Sequence, residues 1–158
     1  MQFDPVIRDL SRFPRVNVPL LHPVAFNWPA PDVGDIGAAV RAALERCALP
    51  RIKPGMRIAL GVGSRGIHGL PVIARAAVDA LRDAGAEPFI IPAMGSHGGA
   101  TGDGQRAVLR DLGVTEASAG CPIVSSMDTV ALGEVNGAPA RMDRNAYEAD
   151  ATLIINRV

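Results

Sequence analysis

The side chain best suited to chemistry in this sequence is a histidine in a glycine-rich loop, residues 94–101, which reads Met-Gly-Ser-His-Gly-Gly-Ala-Thr. Glycines flank His97 closely, so its ring has little side-chain cover and a packed core position is disfavoured. An unperturbed imidazole titrates at ~6.5, which suits proton transfer near neutral pH. We therefore predict that His97 is a catalytic acid and base, the alternative being a solvent-facing turn residue. The neighbours assigned to binding of substrate or cofactor are Gly95, Ser96, Gly98 and Thr101.

A second loop, residues 63–68, carries an arginine among glycines and reads Gly-Ser-Arg-Gly-Ile-His. The guanidinium of Arg65 can donate two parallel hydrogen bonds to a carboxylate or phosphate. Glycines allow backbone N–H groups to approach the same anion. The loop therefore predicts a small-anion site, the alternative being a glycine turn with a solvated arginine. The residues assigned to this site are Ser64, Arg65, Gly66 and His68.

The first loop also contains the pattern G-x-G-x-x-G at Gly61, Gly63 and Gly66, which is typical of dinucleotide-binding turns. The helix that follows is predicted to begin only at about Leu70, too far along for its amino end to meet a pyrophosphate. The next strand also lacks a following acid for a ribose hydroxyl. Standard dinucleotide binding is therefore disfavoured.

The hydrophobic pattern predicts the elements that position these loops. Helices are predicted over residues 32–49, about 70–84, 101–112 and 143–149. Strands are predicted over residues 57–62, 89–91, 122–125, 129–135, 138–142 and 151–155. Asp32 is the expected cap of the first helix, and Asn136-Gly137 is a typical hairpin turn.

This order of elements indicates an α/β fold: a mostly parallel sheet with helices on its faces, plus a short β-hairpin near the C-terminal end. The fold is assigned to residues 32–158, and residues 1–31 are a Pro-rich N-terminal arm. Loops that follow parallel strands meet at one edge of the sheet. We therefore expect Arg65 and His97 to line one cleft, and the last strand to be buried like the others.

Composition excludes several classes of function. The 158 residues suit a single domain, and 16 basic residues balance 16 acidic ones, which argues against nucleic-acid binding. The sequence shows neither a signal peptide nor a long apolar stretch, so a cytoplasmic protein without membrane contact is expected. Cys47 and Cys121 lack a C-x-x-C pattern and are expected to be free, buried thiols. Three scattered histidines predict no metal site.

The loop at residues 94–101 belongs to a longer set of motifs. The others are Gly104-Gln105, Leu-Gly-Val-Thr-Glu at 112–116, Gly-Cys-Pro-Ile at 120–123 and the segment 149–158. As a set, from about Gly55 onward, they resemble the amino-terminal part of the nickel-dependent lactate racemase family, and more closely its large uncharacterised branch.

The resemblance implies an isomerase that removes a hydride from the hydroxyl-bearing carbon of a 2-hydroxy acid and returns it to the other face. Family members hold a nickel-pincer pyridinium mononucleotide tethered to a lysine, and two histidines alternate as base and acid on the substrate hydroxyl. By motif, His97 matches the first of these histidines. Arg65 matches an arginine of the substrate and cofactor pocket.

The sequence departs from the racemase pattern in two respects. Val62 and Gly66 stand where the racemase has an aspartate and a proline, so the identity of the 2-hydroxy acid stays open. The family's second histidine, tethering lysine and nickel-ligating histidine match positions beyond Val158, and Lys53, the only lysine here, matches none of them. The resemblance therefore implies a fragment of a longer two-domain protein, with no cofactor bound to this chain alone.

Two other functions remain open at this point. One is a non-catalytic α/β module that binds a small anion through the same loops. The other is an enzyme of this fold that uses no nickel. The partners expected are the small-molecule 2-hydroxy acid and the missing C-terminal part, and a homo-oligomer is also compatible with the sequence.

Overall fold

A computed structural model describes residues 22–25 and 32–157 of the chain. The predicted N-terminal arm therefore lies largely outside the described residues. The helices are α1 (Ile36–Cys47), α2 (Leu70–Asp83), α3 (Gly102–Asp111), α4 (Glu116–Ala119) and α5 (Arg144–Tyr147), with short 3-10 turns at Leu49–Arg51 and Gly98–Ala100. The strands are β1 (Arg57–Val62), β2 (Glu87–Pro92), β3 (Thr129–Val135), β4 (Ala138–Asp143) and β5 (Ala151–Ile155).

Three strands form a parallel sheet in the order β2-β1-β5, and β3 pairs with β4 in an antiparallel hairpin. In the parallel sheet, Val62 at the end of β1 lies beside Pro92 of β2 and Ile155 of β5. The three strands therefore end at the same level. The predicted α/β class, the parallel sheet flanked by helices and the hairpin are confirmed.

The core lies mainly on one face of this sheet. Alternate residues of β1, such as Ile58 and Leu60, pack in one cluster with Val78 and Leu81 of α2. Each fully buried side chain of this size contributes ~1.5–3 kcal/mol to folding through removal of apolar surface from water. A smaller cluster on alternate positions includes Ala59, Phe89 and Ile91 and packs against Ala146 of α5.

The first helix differs from the prediction at its start. It begins at Ile36, and the cap is Asp35, not Asp32: the Asp35 carboxylate accepts a hydrogen bond of 3.0 Å from the backbone N–H of Ala38. Gly34 has a φ of +66°, which takes the chain out of helical conformation just before the cap.

One of the two expected buried thiols is exposed. Cys47 ends α1 at the surface, whereas Cys121 is buried, and burial raises the pKa of the Cys121 thiol. Leu44 is the only residue of α1 that is buried. The apolar stripe of α1 is therefore only partly covered.

The last strand was expected to be buried, and this is wrong. β5 pairs with β1 alone, and Ile154 remains 59% exposed. Its position at the edge of the described sheet explains the exposure, because side chains there have neighbours on one side only.

Two further differences concern the segment between α3 and β3. Residues 122–125 form no full strand, and only Ile123 bridges to Ile90 of β2. Pro122 lacks an N–H and so cannot extend the ladder as a donor. The sequence prediction also missed α4, which Thr115 and Ser118 begin with reciprocal side-chain-to-backbone hydrogen bonds. None of the helices in the described ranges has the length and apolar content to cross a bilayer.

Candidate functional site

A polar pocket of about 350 Å³ opens at the carboxyl ends of the three parallel strands. Its lining comprises Ser64, Arg65, Ala93, Met94, Gly95, His97, Asn156 and Arg157. These residues follow β1, β2 and β5, which end at one level, so the fold itself brings the three loops together. The prediction that Arg65 and His97 line one cleft is confirmed.

The imidazole of His97 is hydrogen-bonded to a serine of the neighbouring loop. Its Nδ1 lies 2.7 Å from the hydroxyl oxygen of Ser64. When Nδ1–H donates to this oxygen, Nε2 carries a lone pair and can accept a proton. The protonated ring keeps the same bond, so Ser64 can hold His97 through both halves of an acid–base cycle.

The same geometry argues against Ser64 as a nucleophile. In a serine–histidine–acid triad, Nε2 faces the serine and Nδ1 donates to a carboxylate. Here the hydroxyl of Ser64 is hydrogen-bonded to Nδ1 of His97, and no carboxylate of the described residues is hydrogen-bonded to the ring. Ser64 therefore orients the ring and leaves Nε2 for a ligand.

The loop that carries His97 is fixed from beneath by the first turn of α3. Gln105, only 4% exposed, donates from its side-chain amide to the carbonyl of Gly95 at 2.7 Å. The hydroxyl of Thr101 donates to the carbonyl of Gly98 at 3.1 Å and accepts from the N–H of Gly104 at 3.1 Å. These bonds tie both sides of His97 to the helix.

Two glycines make this attachment possible. A Cβ placed on Gly104 would collide with the carbonyl oxygen of Gly98, and would lie 2.8 Å from the hydroxyl of Thr101. Gly98 itself has a φ of +65°, in the left-handed region that favours glycine. The backbone of the loop therefore packs directly against the backbone of the helix, with no side chain between them.

The glycines of the G-x-G-x-x-G pattern serve packing with β5. A Cβ on Gly61 would lie 2.8 Å from the side chain of Ile154. A Cβ on Gly63 would overlap the side-chain amide of Asn156. Two of the three glycines are thus explained by side chains of the adjacent strand and the loop after it, without any dinucleotide.

Two arginines supply the charged side chains of the pocket lining apart from the imidazole of His97. Arg65 and Arg157 both line the pocket, and within residues 22–25 and 32–157 neither guanidinium has a hydrogen bond or an ion pair. No carboxylate of the described chain lines the pocket. Unpaired guanidiniums in a polar recess are suited to a carboxylate or phosphate.

The structure gathers some of the predicted site residues and not others. Those that line the pocket are His97, Ser64, Arg65 and Gly95, whereas Gly66, His68, Ser96, Gly98 and Thr101 do not. His68 is exposed just before α2, and Thr101 caps α3. Asn156 and Arg157 also line the pocket but were not selected from the sequence; their position directly after a parallel strand was the available signal.

The described residues do not fit the metal-bearing part of the cofactor that the resemblance implies. They contain no cluster of three or more His, Cys, Asp or Glu side chains that could hold a metal ion. Lys53 precedes β1, at the edge of the sheet opposite the pocket. The pocket supplies anion-binding groups but neither a tether nor a metal ligand set.

Comparison of the chain with protein-family models, with curated proteins and with solved structures gives no match.

Proposed function

We propose that this chain supplies the substrate-binding and proton-transferring residues of an isomerase that inverts the hydroxyl-bearing carbon of a 2-hydroxy acid. The observation that carries the proposal is the meeting of Arg65, His97 and Ser64 in one pocket. A 2-hydroxy acid bears a carboxylate and a hydroxyl on adjacent carbons. An enzyme that acts on it needs a cation and a proton acceptor side by side, and this pocket offers both.

Arg65 binds the substrate carboxylate in this proposal. Its guanidinium can form two parallel hydrogen bonds to the two carboxylate oxygens, which fixes the direction of the substrate as well as its position. Among the described residues it has no acidic partner that would compete. A carboxylate held by Arg65 places the adjacent hydroxyl within the same recess as His97.

His97 moves the hydroxyl proton. Its Nε2 takes the proton when the carbon becomes a carbonyl carbon and returns it when the hydroxyl is restored. The resemblance to lactate racemase assigns the hydride acceptor to a nickel-pincer cofactor, and the proposal places that acceptor outside the described residues. The 158-residue chain alone is accordingly proposed to bind a 2-hydroxy acid without racemising it.

A non-catalytic module that binds a small anion is the second candidate. The two unpaired guanidiniums favour it, because they would serve an anion with no chemistry at all. The Ser64–His97 hydrogen bond favours the enzyme, because a binding module has no need of an oriented imidazole. Racemisation of 2-hydroxy acids by the full-length gene product, supplied with nickel and cofactor, separates the two.

Ser64→Ala is expected to lower kcat of the full-length gene product on the order of 10-fold, with KM little changed. One hydrogen bond contributes ~0.5–1.5 kcal/mol, and here it holds the ring of His97 rather than the substrate. Steady-state kinetics over a range of pH measure both constants.

Ser64→Thr is the matched control, because it keeps the hydroxyl and should recover most of kcat. A shift of the acidic limb of the kcat–pH profile in Ser64→Ala would show that the hydroxyl acts on the imidazole. Unchanged kcat and an unchanged pH profile in Ser64→Ala would remove Ser64 from the proposed mechanism.

A further inference from the structure

The pocket holds one more cation than a simple 2-hydroxy acid requires. Arg65 follows β1 and Arg157 follows β5, and the ends of these strands are direct neighbours, with Val62 beside Ile155. Both side chains therefore lie at the same edge of the sheet and line the same pocket. If Arg65 binds the single carboxylate of a 2-hydroxy acid, the charge of Arg157 is left without a partner.

Nothing in the described chain neutralises that second charge. The lining offers hydroxyl, amide and imidazole groups but no carboxylate. The acidic side chains of the described ion pairs are bound to Arg41, Arg75, Arg106, Arg110 and Arg144 instead. A ligand with one negative charge would leave the occupied pocket positive, whereas a ligand with two would balance it.

Hydrogen bonds hold the backbone at and next to Arg157. Its backbone N–H donates to the side-chain oxygen of Asn156 at 2.8 Å, and the N–H of Gly63 donates to the carbonyl of Ile155 at 2.9 Å. The side chain of Asn156 lies directly over Gly63, where any Cβ would displace it. The chain that carries Arg157 is therefore attached to the loop that carries Arg65.

The pocket also has room for a second anionic group. Malate, a 2-hydroxy acid with a second carboxylate, has nine non-hydrogen atoms. At ~30 Å³ each, the volume share of a water molecule in the liquid, these need no more than ~270 Å³. The pocket measures about 350 Å³.

We propose that the substrate is a 2-hydroxy acid with a second anionic group, a carboxylate or a phosphate, and that Arg157 binds that group while Arg65 binds the carboxylate next to the hydroxyl. This inference rests on the proposed function and adds the substrate class. Arg157 thereby becomes the residue that determines specificity in this pocket.

The test compares three probes on the full-length gene product by isothermal titration calorimetry: malate, 3-phosphoglycerate and 2-hydroxybutyrate. Malate and 2-hydroxybutyrate share the carbon count and the 2-hydroxy acid group, but only malate has a second carboxylate. We expect one of the two probes with a second anionic group to bind on the order of 10- to 100-fold more tightly than 2-hydroxybutyrate, the range of one charge-assisted hydrogen-bonded contact. Whichever is tighter identifies the second group as carboxylate or phosphate.

Arg157→Gln is expected to abolish this preference and to leave the affinity for 2-hydroxybutyrate unchanged. Arg65→Gln should weaken all three probes. Arg110→Gln is the control for loss of one positive charge, because Arg110 is exposed on α3 outside the pocket lining, and it should change none of the affinities.

Four results would overturn parts of the account. Equal affinities for all three probes, or a loss in Arg157→Gln that is the same for each, would overturn the inference and leave the proposed function in place if Arg65→Gln still weakens binding. The proposed function itself would be overturned if Arg65→Gln left the affinity for every probe unchanged, or if no probe bound at all.

Discussion

In the full-length gene product, His97→Ala is expected to lower kcat by about 10²- to 10⁴-fold, the contribution of a positioned general acid and base. The melting temperature stays within a few degrees of the wild type, because the His97 ring is exposed and makes one side-chain hydrogen bond, to Ser64. KM is expected to change little, since the proposal assigns the carboxylate of the substrate to Arg65. Racemisation kinetics and a thermal melt on the same preparation measure all three quantities.

His68→Ala is the matched control for this experiment. His68 is also an exposed loop histidine, but it lies outside the pocket lining. The His68→Ala substitution should therefore leave kcat at the wild-type value. Wild-type turnover in His97→Ala would refute the catalytic assignment and favour the anion-binding module, and so would loss of the fold in that variant.

The second large effect is expected from Gly104→Ala, a change of one methyl group outside the pocket. The added Cβ would collide with the carbonyl of Gly98 and press on the hydroxyl of Thr101. We expect a loss of ~1–3 kcal/mol in stability from overpacking, seen as a fall of several degrees in the melting temperature. The displaced loop also carries His97 away from its working position, and a shift of ~1 Å can cost about 10²-fold in turnover.

Gly37→Ala provides the comparison, because Gly37 is likewise a helical glycine but its nearest neighbour, the Asp35 carboxylate, would be 3.3 Å from the new Cβ. There the better helix propensity of alanine should maintain or raise the melting temperature. A Gly104→Ala protein with wild-type melting temperature and turnover would show that the loop does not depend on this backbone contact.

The parts of the fold that the sequence predicted are those with a local signal. The strand Arg57–Val62 is apolar from Ile58 onward, α2 has an apolar stripe with Pro71 in its first turn, and Asn136-Gly137 marks the hairpin. The shared cleft of Arg65 and His97 followed from topology, because neighbouring parallel strands end at one edge. These predictions needed no knowledge of tertiary contacts.

The predictions that were wrong depended on which neighbours a residue has across the fold. Cys47 was expected to be buried, but no described element covers that part of α1 well enough to bury it. Thr101 was assigned to ligand binding because it lies in the loop of His97. Its hydroxyl instead forms hydrogen bonds with the backbone of Gly98 and Gly104, which stabilise the loop. Asn156 and Arg157 enter the pocket because β5 pairs with β1, which the spacing of residues alone does not specify.

The measurement that tests the central claim most directly is racemisation of a single enantiomer of a 2-hydroxy acid deuterated at carbon 2, by the full-length gene product in ordinary water with nickel and cofactor supplied. The proposed chemistry moves the hydrogen of carbon 2 as a hydride and only the hydroxyl proton through His97, so the opposite enantiomer should form with its deuterium retained. Racemisation with the deuterium replaced by hydrogen from water would contradict the account, because it would show proton abstraction from carbon; a failure to racemise any 2-hydroxy acid would contradict it as well.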